Sequence, residues 1–101
     1  MVEKRKKISW DNPARLQFRN AIIYIRKQSY QNAENVKKEI LATIDQLAAH
    51  PEKYAPDKYK LNNKGNYRAF EIYHFRISYL VKEDSIIITR FRHTSMDPQS
   101  Y

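Results

Sequence analysis

The sequence predicts an α+β domain with element order β-α-α-β-β-β, in which an antiparallel helix pair packs on one face of an antiparallel sheet. Two apolar stripes at helical spacing lie between Ala14 and Leu47. Segments of alternating polarity fill the stretch from Tyr67 to His93. At 101 residues the chain is the length of one domain, read here as residues 1–101.

Lys6 to Trp10 reads as a short first strand. Asp11-Asn12-Pro13 then marks a helix start, because an Asx side chain caps free backbone N–H groups and Pro suits the first helical turn. Ala14, Phe18, Ala21, Ile22 and Ile25 form one stripe, with Arg15, Arg19, Arg26 and Lys27 off it. Ser29 to Asn32 breaks the pattern. A second stripe follows in Ala33, Val36, Ile40, Ile44 and Leu47, and His50-Pro51 ends it. The short connection implies antiparallel helices.

Glu52 to Asn66 is polar, holds the only glycine and carries Lys53, Lys58, Lys60 and Lys64, so it reads as a loop. Three strands follow: Tyr67 to Tyr73, His74 or Phe75 to Lys82, and Ile86 to His93, with a turn at Glu83-Asp84-Ser85. In the second, Phe75, Ile77, Tyr79 and Val81 alternate with Arg76, Ser78, Leu80 and Lys82. Carried uninterrupted through the third, alternation groups Ile87, Thr89, Phe91 and His93 against Ile86, Ile88, Arg90 and Arg92. The tail from Thr94 to Tyr101 holds Pro98 and has no clear period.

Composition bounds the chemistry. With no cysteine there is no disulfide framework and no thiolate metal site, and the three His lack ligand spacing, so neither metal nor cofactor is expected. No apolar run is long enough for a membrane span, and the basic start, Met1 to Lys7, lacks the apolar stretch of a signal peptide, so a cytoplasmic location is expected. Nineteen Lys and Arg against 11 Asp and Glu give a net charge of +8, which favours an anionic partner. A meander brings Arg68, Arg76, Arg90 and Arg92 toward one open face, near Lys60 and Lys64, with aromatic residues interleaved. Such a face can grip a phosphodiester backbone. Each residue also has a structural reading: Arg76 as a partner of Glu71 or Glu83, Arg90 and Arg92 as solvated strand ends, His93 as an ordinary surface residue and Tyr101 as a frayed end.

Tyr67-Arg68-Ala69-Phe70-Glu71-Ile72-Tyr73-His74-Phe75-Arg76-Ile77-Ser78-Tyr79-Leu80-Val81 resembles the signature of the RelE/ParE superfamily of toxins from type II toxin–antitoxin systems. In that signature an Arg, an aliphatic residue and a Tyr precede a hairpin turn, here Arg76-Ile77-Ser78-Tyr79. Ile86 to His93 is similar to the family's last core strand, and Leu47-Ala48-Ala49-His50-Pro51 to the end of its helix pair. The resemblance covers nearly the whole chain. It implies ribosome-dependent cleavage of mRNA without a metal, or alternatively poisoning of DNA gyrase by binding; a non-catalytic nucleic-acid-binding module is the third alternative. It also implies an acidic cognate antitoxin as partner.

For cleavage, the resemblance implies Arg76 and Arg68 as transition-state cations, His93 as proton donor and Tyr101 as a substrate-orienting ring. Arg90, Arg92, Lys60 and Lys64 would hold nucleic acid. The chain departs from the nuclease pattern at Thr94-Ser95-Met96 and at Phe70, where basic residues are usual.

Overall fold

The computed structural model describes residues 5–96 and 99–101. The first four residues of the basic start, and Pro98 in the tail, lie outside the described residues. The elements are β1 (Lys7–Trp10), α1 (Asn12–Gln28), α2 (Tyr30–Gln46), β2 (Tyr67–Ile72), β3 (Phe75–Val81) and β4 (Ser85–His93). The sheet order is β1-β4-β3-β2. β2, β3 and β4 form an antiparallel meander, whereas β1 joins the edge of β4 in parallel, with Ile8 opposite Ile86. The sheet is therefore mixed, because the helix pair carries the chain across the sheet before the meander begins.

The helices are separated by Ser29 alone, a narrower break than the sequence suggests. Ser29 caps α2, its hydroxyl accepting from the Asn32 N–H at 3.1 Å. Ser29→Ala is expected to cost about 1 kcal/mol, read as a lower urea midpoint at unchanged slope. At α1 the cap position is Asp11, but its side chain makes no capping hydrogen bond.

The helical stripes meet the sheet around Ile40, Leu47, Ile77, Tyr79, Ile86 and Ile88, all fully buried. An aromatic run extends this core from Trp10 through Phe18 and Phe91 to Phe75, with ring centroids 5.2, 5.3 and 4.8 Å apart. The Tyr79 hydroxyl donates to the Pro51 carbonyl at 2.9 Å, which satisfies its polar end inside the core. Burial pushes the Tyr79 phenol up to about 12.

Two features of the meander depart from simple alternation. The β2–β3 turn is Tyr73-His74, with φ of 51° and 66°. A two-residue hairpin turn of this hand normally uses Asn or Gly. Here the strain is held by two contacts: the Tyr73 hydroxyl donates to Glu39 on α2, and the Thr94 N–H donates to the His74 carbonyl at 2.7 Å. The second feature lies in β4. Ser78 faces Arg90 but Tyr79 faces Ile88, so Thr89 has no partner and forms a bulge. The Thr89 hydroxyl donates to the Ser78 carbonyl across it at 3.2 Å.

The bulge corrects the face assignment for the last strand. Ile86, Ile88 and Phe91 all face the helices and are 0, 0 and 2 % exposed. Ile87, Arg90 and Arg92 face the other way, beside Arg76 and Ser78. Without the extra residue the two arginines would follow Ile86 and Ile88 into the core.

Candidate functional site

The open face of the sheet carries Arg76 and Ser78 on β3 with Arg90 and Arg92 on β4. The polar loop after α2 folds back along β2, where the Asp57 N–H donates to the Tyr67 carbonyl at 2.8 Å and Pro56 bridges Arg68. This pairing delivers the Asp57 carboxylate onto the open face. Asn63 holds the loop's return: its side chain donates to the Tyr67 carbonyl at 2.8 Å and accepts from the Gly65 N–H at 2.9 Å. Gly65 has φ of +100°, a conformation other residues rarely adopt.

Asp57 is the centre of the site. One carboxylate oxygen accepts from Arg76 at 2.9 Å and from the Tyr59 N–H at 3.1 Å. The other accepts from Ser78 at 2.9 Å and from the Tyr101 hydroxyl at 2.5 Å. Burial alone would raise the Asp57 carboxyl above its usual range, but hydrogen bonds from Tyr101, Arg76, Tyr59 and Ser78 outweigh it and hold it below. Glu71 takes a second nitrogen of Arg76 at 3.1 Å. Arg76 lies over the Tyr59 ring, 4.8 Å from its centroid. Its guanidinium is thus committed to two carboxylates. Burial opposes its charge, but the bonds to Asp57 and Glu71 prevail and hold the charged form more firmly than in free arginine.

Tyr101 is docked rather than frayed. Its N–H donates to the Tyr59 carbonyl at 2.9 Å, and its carbonyl accepts from the Leu61 N–H at 2.6 Å. Arg90 and Lys60 lie over its ring at 4.2 and 5.3 Å. Burial, then the Asp57 carboxylate, push its phenol up to about 12. A phenol raised in the folded state adds stability below its unfolded value of 10, and that contribution is lost as pH rises toward about 12. A spectroscopic titration should find Tyr79 and Tyr101 ionising near pH 12. Tyr101→Phe should leave one.

The structure brings Arg76, Arg90, Arg92, Tyr101 and Lys60 to one face and separates the others. Arg68 pairs in register with Tyr79, so its side chain leaves the sheet on the helix side, where it donates to the Tyr54 carbonyl at 2.7 Å. The expectation that it would stand beside Arg76 is corrected by strand parity. His93 pairs with Phe75 and also projects to the helix side, packing edge-on to that ring. It nevertheless lines the open cleft, with Nδ1 2.7 Å from the Ser95 hydroxyl. Lys64 is exposed on the loop and lies outside the cleft lining. Phe70 stacks on Tyr54 in the core, centroids 4.7 Å apart, so a cation there would be buried. Asp57 had no local signal, since its side-chain partners lie 19 or more residues away.

The cleft over this face has a volume of about 210 Å³ and is lined by Tyr59, Arg76, Arg90, Arg92 and Tyr101, among others. Among the described residues, no group of three His, Asp or Glu could hold a metal ion, and no helix is long and apolar enough to cross a membrane.

Comparison with known proteins gives two findings. Residues 8–98 match the family model described as ParE toxin of type II toxin-antitoxin system, parDE. Among solved structures, the fold is similar to a chain of the chromosomal ParDE TA system from P. aeruginosa, with a TM-score of 0.66 and 16 % identity over 88 % of this chain and 96 % of that one. Comparison with curated protein sequences gives no match.

Proposed function

Since the chain belongs to the ParE toxin family of type II toxin–antitoxin systems, we propose that it arrests growth by binding DNA gyrase, and that it does not cut RNA. The observation that carries this reading is the Asp57–Arg76–Glu71 cluster. Phosphoryl cleavage needs cations free to take up charge that develops on the phosphate oxygens. Arg76 already answers two carboxylates. Arg68 is on the other side of the sheet, and His93 is turned away from Arg76 by strand parity. The nuclease reading therefore lacks a free Arg76 and an Arg68 on the open face, whereas a binding toxin needs only a stable surface.

Ribosome-dependent mRNA cleavage is the second reading. It is favoured by Arg90 and Arg92, which have no carboxylate within ion-pair distance among the described residues. In both readings an acidic antitoxin sets carboxylates against this face and neutralises the toxin. The test is purified gyrase with relaxed plasmid, with and without the toxin. The gyrase reading expects dose-dependent loss of supercoiling, reversed by the antitoxin. Undiminished supercoiling at a large excess of folded toxin contradicts it.

A further inference from the structure

The turn between β2 and β3 holds His74 at φ of 66°, a conformation that suits Asn or Gly better. Strain of this kind persists only where the surroundings impose it, and it clusters at binding sites. The turn sets His74 next to Phe75, which pairs with His93 in the β3–β4 register. The two imidazole rings are consequently near-parallel, at 26°, with centroids 6.4 Å apart. They lie far apart in the sequence, so no spacing rule reveals the pair. Both line a cavity of about 490 Å³ at the end of the helix pair, and Met96 lines it with them. All three side chains are exposed, and the lining includes no Asp, Glu, Lys or Arg. His93 Nδ1 lies 2.7 Å from the Ser95 hydroxyl, which leaves Nε2 as the nitrogen open to a ligand. A partner on the far ring nitrogen is what orients a metal-binding imidazole.

We propose that His74, His93 and Met96 bind a monovalent copper ion. Two imidazoles and a thioether are a donor set for copper, whereas calcium and magnesium need oxygen ligands and structural zinc needs a fourth donor. An imidazole nitrogen sits about 2.0 Å from its metal, so two rings sharing one ion in line have centroids about 6.4 Å apart, and a tetrahedral ion draws them to about 5 Å. The observed 6.4 Å meets the in-line case, which a low-coordinate ion such as Cu(I) takes. Binding selects the tautomer in which Nδ1 of His93 donates to the Ser95 hydroxyl, in place of the one in which it accepts from the Ser95 N–H at 3.1 Å. His93 and Met96 also line the open cleft, so the ion fixes the wall that the two cavities share. This inference concerns a separate ligand and is independent of the gyrase reading.

The experiment is anaerobic titration of the tag-free, full-length toxin with Cu(I) in competition with the chromophoric chelator bicinchoninate, followed by thermal melts with and without the ion. The expected result is one Cu(I) per chain and, at about 100 times Kd, a melting temperature raised by about 10 °C. His74→Asn should keep the fold, since Asn tolerates positive φ, yet weaken Cu(I) binding about 100-fold and abolish the thermal shift. His93→Gln should do the same. X-ray absorption at the copper edge should show two nitrogen neighbours and one sulfur, and Met96→Leu should remove the sulfur alone. His50→Gln, a change outside this cavity, should leave affinity within about twofold. The proposal is overturned by no binding of Cu(I), by unchanged affinity in a folded His74→Asn variant, by one ion per two chains, or by Zn²⁺ or Ni²⁺ raising the melting temperature more than Cu(I) at equal concentration.

Discussion

Asp57→Ala is expected to destabilise the toxin by about 3 kcal/mol, measured by urea unfolding. The Asp57 side chain is fully buried, and its removal takes the acceptor from four donors at once: Arg76, Ser78, the Tyr101 hydroxyl and the Tyr59 N–H. Loss of one member of a buried ion pair costs about 3–5 kcal/mol, and the 21 % exposure of the Arg76 side chain places this case at the low end. The tail should loosen as well, since the Tyr101 hydroxyl loses its acceptor. The pH dependence follows from the lowered carboxyl of Asp57. A depressed carboxylate stabilises the fold above its unfolded value of 3.8, and the contribution is lost as pH falls through the lower folded value. Asp57→Asn should therefore flatten the acid limb of the stability curve. An acid limb identical to that of the wild type would contradict the assignment.

Deletion of Thr89 should have a larger effect still and abolish cooperative folding. It removes the bulge that switches strand phase between Ile88 and Phe91. In the shortened strand, residues beyond the deletion change faces, so Arg90 and Arg92 turn toward the helices and Phe91 toward solvent. Two unpaired guanidinium groups would enter the core at several kcal/mol each, and exposure of Phe91 would add about 2–3 kcal/mol. The sum approaches the roughly 5–15 kcal/mol that holds a small domain together. Thr89→Ala keeps the residue count and removes only the bond to the Ser78 carbonyl, so it should cost about 1 kcal/mol. Circular dichroism melts of the two variants make the comparison. A deletion variant as stable as Thr89→Ala would refute the role of the bulge.

The helices were legible in the sequence because their apolar stripes are local and regular. Ala14, Ile22, Ala33, Val36, Ile40, Ile44 and Leu47 are all buried, as the stripes require. The meander was legible for the same reason, and Arg76, Arg90 and Arg92 do share the open face. The bulge left a trace in the sequence. Apolar Ile86 and Ile88 lie two apart, whereas Ile88 and Phe91 lie three apart, and an uninterrupted alternation passes over that step. Arg68 followed from an assumed face, and one residue of parity moves it across the sheet. Asp57 was not legible. It sits in a polar loop with no periodic signal, and its meaning depends on Arg76, Ser78 and Tyr101 converging through the fold. The Tyr73-His74 turn was missed because neither residue advertises positive φ; tertiary contacts to Glu39 and Thr94 impose it.

The central claim is that growth arrest comes from binding, with Arg76 held as a structural residue. The most direct test is primer extension on mRNA from cells expressing the toxin without its antitoxin, sampled as growth stops. The account predicts arrested cells whose messages show the same ends as uninduced controls. Discrete ribosome-dependent cuts that appear with arrest, and that vanish in Arg76→Ala, would contradict it.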